Sequence, residues 1–524
     1  MALFHQKKQR SASATDEVKD LEAIRLENVG TDGEEVRQPY HFSAEDEKRV
    51  VRKMDWRIPP LVSFLYLLSF LDRSNIGNAR IAGMSKDLQL HGNRYDWLLT
   101  IFYITYVVFE FLVIMWKIVP PHMWASFIVL CWGIIATCQS ATQSWAGMMA
   151  CRFFLGVAEA GFGPGVPYLL SFFYLRHELG FRSGVFLASA PLANTFAGAL
   201  AYGITSGHAK IASWRLLFLV EGLPTILAAP LAFFFLPDSP EKARFLTAEE
   251  KEIAKARGVR QVGQVERTGS VDIKDIGLAL MDAKNWFTAL MYFSCNVSFS
   301  SLPVFLPTIL SEMGFSSINA QGLTAPPYFL SWIITILTCY IADRTKQRGL
   351  MITFLSLIGG IGYIILGSTK TTGPRYFAVF LAAAGVFPGI ANILPWVLNN
   401  QGSDTRRGTG IAILNIVGQC GPLLGTRLYP MNEAPNYIKG HYTCAAFMFF
   451  TGILALTLRQ LLAWENKQLD RKYGTVNVAG GLEGRANVTG GVSEDMEASD
   501  QTTAAAKQVG VAEENYGPSF RFIL

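Results

Sequence analysis

Apolar stretches long enough to cross a bilayer alternate along this chain with short polar turns. About 20 helical residues at 1.5 Å rise cover the roughly 30 Å hydrocarbon core of a membrane. By that measure twelve spans are predicted: 57–77, 95–116, 122–141, 145–170, 182–205, 214–236, 285–310, 322–342, 349–368, 374–398, 408–430 and 440–463. The longest internal polar stretch, 237–284, has helix-forming composition over 247–257 after a threonine cap, and it divides the spans six and six. The expected organisation is a polar, disordered tail (1–53), a six-helix bundle (54–236), a linker (237–284), a second six-helix bundle (285–463) and a tail (464–524). Gly, Ala, Ser, Thr and acidic residues dominate the last of these beyond 474, a composition expected to be disordered.

Composition supports the pattern. The 524 residues are 50% hydrophobic and only 17% charged, too apolar for ordinary soluble domains, and the mean hydropathy of +0.26 is held down by the polar ends. The net charge of +5 is spread between the apolar segments and forms no single patch, which argues against a nucleic-acid partner. Loops on the linker side carry Lys117, Arg176, Arg182, Arg344, Lys346, Arg348, Arg406 and Arg407. Opposite loops three to four and seven to eight have no Lys or Arg, although the first carries Arg80, Lys86 and Arg94. This balance predicts that the linker and both termini face the cytosol. The seven cysteines all fall in apolar stretches without paired spacing and read as small buried hydrophobes; no metal or other cofactor is expected. The seven histidines lie in tails, loops or segment edges, so proton chemistry within the membrane is left to carboxylates. No nucleotide-binding loop and no nucleophile paired with a histidine occurs in the spans, and an enzyme is not expected.

Charges inside the spans carry the candidate chemistry. In WAGMMACRFFLGVAEAGFGPGVPY (145–168), Arg152 and Glu159 are seven apart, so they project from one helical face about 10 Å apart in depth. Either charge facing lipid would cost several kcal/mol, so this face is expected to line protein or a polar cavity. The first span ends LSFLDRSNIGNAR, with Asp72 and Arg73 still within the apolar run. Depths counted along the helices put Asp72 about 8 Å and Arg152 about 10 Å from the same membrane boundary, with Glu159 about 21 Å deep, so Asp72 and Arg152 are expected within reach of one another. The arginines would capture an anion and the carboxylates would carry protons; the plainer alternative is a structural ion pair. Glu110 and Glu221 are assigned gating or structural roles, accepting hydrogen bonds from helix ends or cytosolic arginines. Among Asn194, Asn296, Asn392, Asn415 and Gln419, interhelical hydrogen bonding explains any one, and Asn194 and Asn415 are the first choices for substrate contact. Tyr106 and Trp396 are candidates to stack on a planar substrate, with core packing as the alternative.

Several stretches resemble the major facilitator superfamily, and within it the anion:cation symporter branch with its fungal allantoate, nicotinate and vitamin permeases. They are LDRSNIGNAR (71–80), CRFFLGVAEAGFGPG (151–165), RHELGFRSG (176–184), WRLLFLVEGLPT (214–225), LPDSPEKARFL (236–246) and ADRTKQRG (342–349). The resemblance implies an all-α membrane fold of twelve helices in two pseudo-symmetric six-helix bundles that rock about a central site. It further implies that Arg73 or Arg152 binds the anion, that Asp72 and Glu159 carry the coupling proton, and that Asp343 and Arg344 form a gating latch. One departure is FEFLVIMWKIVPPHMW between spans two and three, which lacks the superfamily's G-x-x-x-D-R loop and puts the gating of that half in question.

The resulting expectation is a monomeric plasma-membrane importer that couples a small organic anion, such as a monocarboxylate or vitamin, to a proton. An export antiporter is disfavoured because the fifth span lacks the G-x-x-x-G-P pattern of drug-efflux relatives. A transporter-like nutrient receptor would need a signalling domain or a long partner-binding tail, and the tails are only about 50 residues each.

Overall fold

The computed structural model describes residues 42–175, 178–207, 209–262, 273–400, 404–473 and 521–524. The first helix, α1 (Ala44–Asp55), occupies part of the stretch expected to be a tail. Its start is fixed by a capping box, in which Ser43 Oγ accepts from Asp46 N at 3.1 Å and the Asp46 carboxylate accepts from Ser43 N. Residues 1–41 lie outside the described residues, as does the disorder expected for 474–520.

Six membrane helices follow: α2 (Ile58–Ser74, continued by Ile76–Ala79), α3 (Arg94–Val108), α4 (Pro121–Cys138), α5 (Trp145–Ala160, continued by Gly165–Leu170), α6 (Leu179–Ser206) and α7 (Ser213–Phe235). The linker contributes α8 (Ala248–Val262) and α9 (Ile273–Met281). The second six are α10 (Ala283–Glu312), α11 (Ala325–Thr345), α12 (Arg348–Ser368), α13 (Thr372–Asn399), α14 (Asp404–Gly418, continued by Gly421–Gly425) and α15 (Ile438–Tyr473). Ten of the twelve are, singly or with their continuations, long and apolar enough to cross a membrane, and α3 makes an eleventh with Glu110–Ile118 across a 46° bend. With 17 residues before its break, α2 takes the twelfth place. α15 continues ten residues past its expected end at 463.

Within the first bundle α4 packs on α7, α3 on α5 and α2 on α6; within the second, α12 packs on α13 and α15, and α10 on α14 and α15. The bundles meet chiefly along α6 and α11. Large apolar side chains such as Phe127, Leu227, Phe234, Phe354 and Ile453 are left exposed on the outside, the surface a hydrocarbon solvent requires. Linker helix α8 is tied to the first bundle by ion pairs. Arg257, nearly fully buried, bridges Glu47 at 2.8 Å and Glu178 at 2.6 Å, and Lys53 meets Glu250 at 2.6 Å. The end of the molecule bearing these pairs is called the linker end below.

Candidate functional site

Charged faces of α2 and α5 meet close to the break in α2 at Asn75 and the glycine-rich break after Ala160 in α5. Arg73 Nη2 lies 2.8 Å and Nε 3.2 Å from Glu159 Oε2, and Ser69 Oγ donates to the same oxygen at 2.9 Å. Both side chains are almost wholly buried. The Arg73 guanidinium is also walled by aromatic rings, with Cζ 4.9 Å from the Tyr106 centroid, 5.0 Å from Phe102 and 5.6 Å from Phe70. Arg152 stands behind this pair. It is 1% exposed, its Nε approaches Leu98 O at 3.4 Å, and its Nη1 and Nη2 approach the main-chain carbonyl of Arg73 at 3.4 and 3.5 Å. Gly156 on the same helix lets α3 come close, for a Cβ there would run into Thr105 Oγ1.

The expected meeting of Asp72 with Arg152 is not what forms. Asp72 and Arg73 are consecutive, so their side chains diverge by about 100° around the helix. Arg73 turns to α5, and Asp72 turns to α7, where its Oδ2 accepts from Thr225 Oγ1 at 2.8 Å. Glu221 lies one turn from Thr225, whose hydroxyl also contacts the Glu221 carbonyl at 3.3 Å. Neither oxygen of Glu221 nor of Glu110 has a protein hydrogen-bond partner, so the helix-end and arginine donors expected for these carboxylates are absent among the described residues. Glu110 sits where α3 gives way to the bent segment.

A cavity of about 30 Å³ lies between the bundles, with room for no more than a water or two. Arg73, Tyr66, Tyr103 and Tyr106 line it from the first bundle, and Tyr292, Asn296, Phe299, Ser300, Asn415 and Gln419 from the second. Asn415 and Tyr106 are thus at the cavity, and Asn194 and Trp396 are not. Asn194 is buried within α6, and Trp396 is buried at the linker end, donating to Ile523 O at 2.8 Å. Asn392 instead accepts from Arg348 Nη1 at 3.3 Å. Four further tyrosine and phenylalanine rings, Tyr66, Tyr103, Tyr292 and Phe299, were not singled out from sequence; nothing distinguishes them there from the other apolar-face aromatics.

The bundles touch on both sides of the cavity. At the linker end Asp343 Oδ2 accepts from Phe181 N of α6 at 2.9 Å, and its other oxygen pairs with Arg348. Arg344, expected with Asp343 to form the latch, instead contacts Tyr340 OH at 3.3 Å. Arg348 was visible in ADRTKQRG, five residues after Asp343, but only the fold shows that it begins the next helix and turns back. At the opposite end Tyr95 OH donates to Val304 O at 3.0 Å, Thr100 and Thr426 hydroxyls lie 3.1 Å apart, and Thr205 donates to Gln321 at 3.0 Å. Gly77 packs so tightly on α10 that a Cβ would come within 2.7 Å of Val304 O. In the half lacking the G-x-x-x-D-R loop, His122 joins Asp238 at 2.7 Å, tying the start of α4 to the chain after α7.

Ten helices long and apolar enough to cross a membrane, the bent α3 pair and the shorter α2, arranged in two bundles around a shared cavity, define a polytopic membrane protein. Residues 62–426 match the Major Facilitator Superfamily profile, and the chain belongs to that superfamily. It is 35% identical over 458 residues to the MFS transporter prlL of Fungal sp. (strain NRRL 50135), covering 84% of this chain and 91% of the relative. The High-affinity nicotinic acid transporter of Saccharomyces cerevisiae is 31% identical over 448 residues, covering 85% and 83%, and the Major facilitator-type transporter hxnP of Emericella nidulans is 30% identical, covering 85% and 92%. A bacterial homologue of the human lysosomal transporter Spinster, solved inward-facing and occupied, aligns with a TM-score of 0.56 over 77% of this chain and 96% of its own. At 14% identity that likeness is one of fold.

Proposed function

We propose that this transporter carries a small monocarboxylate into the cell together with a proton, and that Arg73 and Glu159 couple the two. The observation that carries the reading is the buried Arg73–Glu159 pair, whose Arg73 lines the cavity between the bundles. With Glu159 ionised, Arg73, Arg152 and Glu159 sum to one positive charge. A proton alone would raise that to two, a costly accumulation of like charge in a low-dielectric interior, and an anion alone would have to compete with ionised Glu159 for the same Arg73 fork. Proton and monocarboxylate together leave it at one. Protonation of Glu159 frees the Arg73 fork, which matches a carboxylate bidentately, so the two ligands load together and leave together. Asp72, held by Thr225 away from the cavity, serves as a second carboxylate that ties α2 to α7.

The aromatic lining favours a planar substrate, with Tyr106, Tyr103 and Tyr66 flanking Arg73 and Asn296, Asn415 and Gln419 supplying polar contacts from the other bundle. A nicotinate-like acid fits that chemistry, in keeping with the name of the yeast relative. Positive-inside sorting puts the linker end and both termini in the cytosol of a plasma-membrane protein. The path lies within one chain, so a monomer suffices. The 30 Å³ cavity is too small for such a ligand, and loading requires the bundles to part at one end at a time. The Asp343–Arg348–Phe181 contacts would close the cytosolic end, and the Gly77–Val304 and Tyr95–Val304 contacts the outer end.

The test is uptake of labelled nicotinate, pantothenate, biotin, allantoate and aromatic or sugar acids by expressing cells at pH 5 and pH 7.5, with and without a protonophore. Uptake of one acid that is faster at pH 5 and abolished by the protonophore is expected. Uptake indifferent to both, or entry of none of the acids, would overturn the reading.

A further inference from the structure

Forty-seven residues separate the segment Arg521–Leu524 from the end of α15 at Tyr473, yet it is seated on the linker end of the second bundle. Its receptor is built from four helices. Arg521 Nε pairs with Asp470 Oδ1 of α15 at 2.7 Å. Phe522 exchanges two hydrogen bonds with the Asn466 amide, N to Oδ1 at 2.8 Å and Nδ2 to O at 2.9 Å. Ile523 makes the same exchange with Asn400, just past the end of α13, at 2.8 and 3.0 Å, and its carbonyl also accepts from Trp396 Nε1 of α13 at 2.8 Å. Leu524 O accepts from Gly349 N of α12 at 3.2 Å. The Phe522 ring is 5% exposed, with Lys284 Nζ of α10 5.1 Å from its centroid.

Two side-chain amides that each read one residue's N–H and C=O, an aromatic pocket and a charge pair make a peptide-binding cleft. Buried main-chain groups are costly unless paired, and here the N–H groups and carbonyls of Phe522 and Ile523 all find partners. Because the segment belongs to the same chain as its cleft, docking is intramolecular, so modest intrinsic affinity is enough to hold it in place.

The cleft adjoins the linker-end closure. Gly349 is the residue after Arg348, whose guanidinium pairs with Asp343, and Asp343 accepts from Phe181 of the other bundle. Asn392, which holds Arg348 from the other side, is one turn from Trp396 on α13. The segment therefore grips the first turn of α12 and the last turns of α13, the two elements that aim Arg348 at Asp343.

We propose that Arg521–Leu524 is an intramolecular clasp that holds the linker end closed, and that its release is required for opening there. Cys339 is an internal reporter of that opening. It is fully buried at the face where α11 meets α6, close enough to Gly184 that a Cβ on the glycine would come within 2.6 Å of its sulfur.

The test uses full-length, detergent-solubilised protein and no substrate, so its outcome is independent of the carboxylate reading. p-Benzoylphenylalanine replacing Phe522 should, on irradiation, cross-link to peptides containing Lys284 or Asn466. Alkylation of Cys339 by N-ethylmaleimide, followed by peptide mass spectrometry, should accelerate about tenfold in a variant lacking 521–524. N400A/N466A, which keeps the segment and loses its receptor, should show the same acceleration. Cross-links to neither peptide would overturn the docking, and Cys339 alkylation at the unmodified rate in both variants would overturn the clasp.

Discussion

Glu159→Gln isolates the coupling step. In the native protein the Arg73 fork is held at 2.8 and 3.2 Å by one buried carboxylate oxygen. At 2.8 Å and an effective dielectric constant of about 20, the gross attraction is about 6 kcal/mol, most of it offset by the desolvation of both ions. Measured net contributions are about 1.5–3 kcal/mol for a charged hydrogen bond and about 0.5–1.5 for a neutral one. Glutamine keeps an acceptor for Ser69 and Arg73 but loses the charge, so an incoming carboxylate competes against a partner weaker by about 1–2 kcal/mol. That corresponds to a 5- to 30-fold tighter Kd for the anion at pH 7.5. The variant is expected to bind the anion with little pH dependence, to retain exchange of labelled for unlabelled substrate, and to lose proton-driven accumulation. Binding by scintillation proximity at pH 5 and 7.5, with counterflow and net uptake in proteoliposomes, measures all three. Accumulation by Glu159→Gln with the native pH dependence would remove Glu159 from the mechanism.

Further substitutions separate the roles of neighbouring groups. Arg152→Lys replaces a fork aimed at the Arg73 carbonyl with a point charge and should raise the KM for uptake about tenfold with little change in expression, whereas Arg152→Ala should abolish uptake by protein that still reaches the membrane; both are read by uptake kinetics and surface labelling. Thr225→Val leaves buried Asp72 without its donor and should cost about 1–3 kcal/mol, seen as a Tm lowered by several degrees in detergent, with substrate Kd unchanged because the pair is off the cavity. Asp343→Asn should speed alkylation of Cys339 at least tenfold, while Arg344→Ala, whose guanidinium contacts only the Tyr340 hydroxyl among the described partners, should leave uptake within twofold of native. Gly77→Ala puts a methyl group 2.7 Å from Val304 O and should impede closure of the end away from the linker, slowing uptake at least tenfold and raising hydrogen exchange in 79–84.

What could be read from the sequence depended on whether a feature is set by periodicity or by tertiary choice. The spans were legible because a bilayer imposes a length and an apolar run marks it: 145–170 and 349–368 lie within a residue or two of their helices. The shared face of Arg152 and Glu159 followed from helical geometry alone. Asp72 and Arg73, being adjacent, must face different neighbours, and no local pattern says which turns to α5 and which to α7. The same ambiguity hid Arg348, since Arg344 follows Asp343 directly and points away from it, and the arginine that pairs with Asp343 arrives by a helix start. Polar composition hid α1, whose capping box Ser43–Asp46 was present in the sequence, and Trp396, near the end of α13, donates to a residue 127 positions further along, a contact no local pattern foretells.

The central claim is that one buried carboxylate and one buried arginine make anion and proton move together. The most direct measurement is proton entry driven by substrate: purified protein in liposomes containing a trapped pH-sensitive dye, with nicotinate applied outside in the absence of any imposed pH gradient and with permeation of the free acid subtracted using protein-free vesicles. The expected result is internal acidification that accompanies labelled nicotinate one for one and disappears in Glu159→Gln. Nicotinate entry without acidification, or acidification that persists in that variant, would contradict the account.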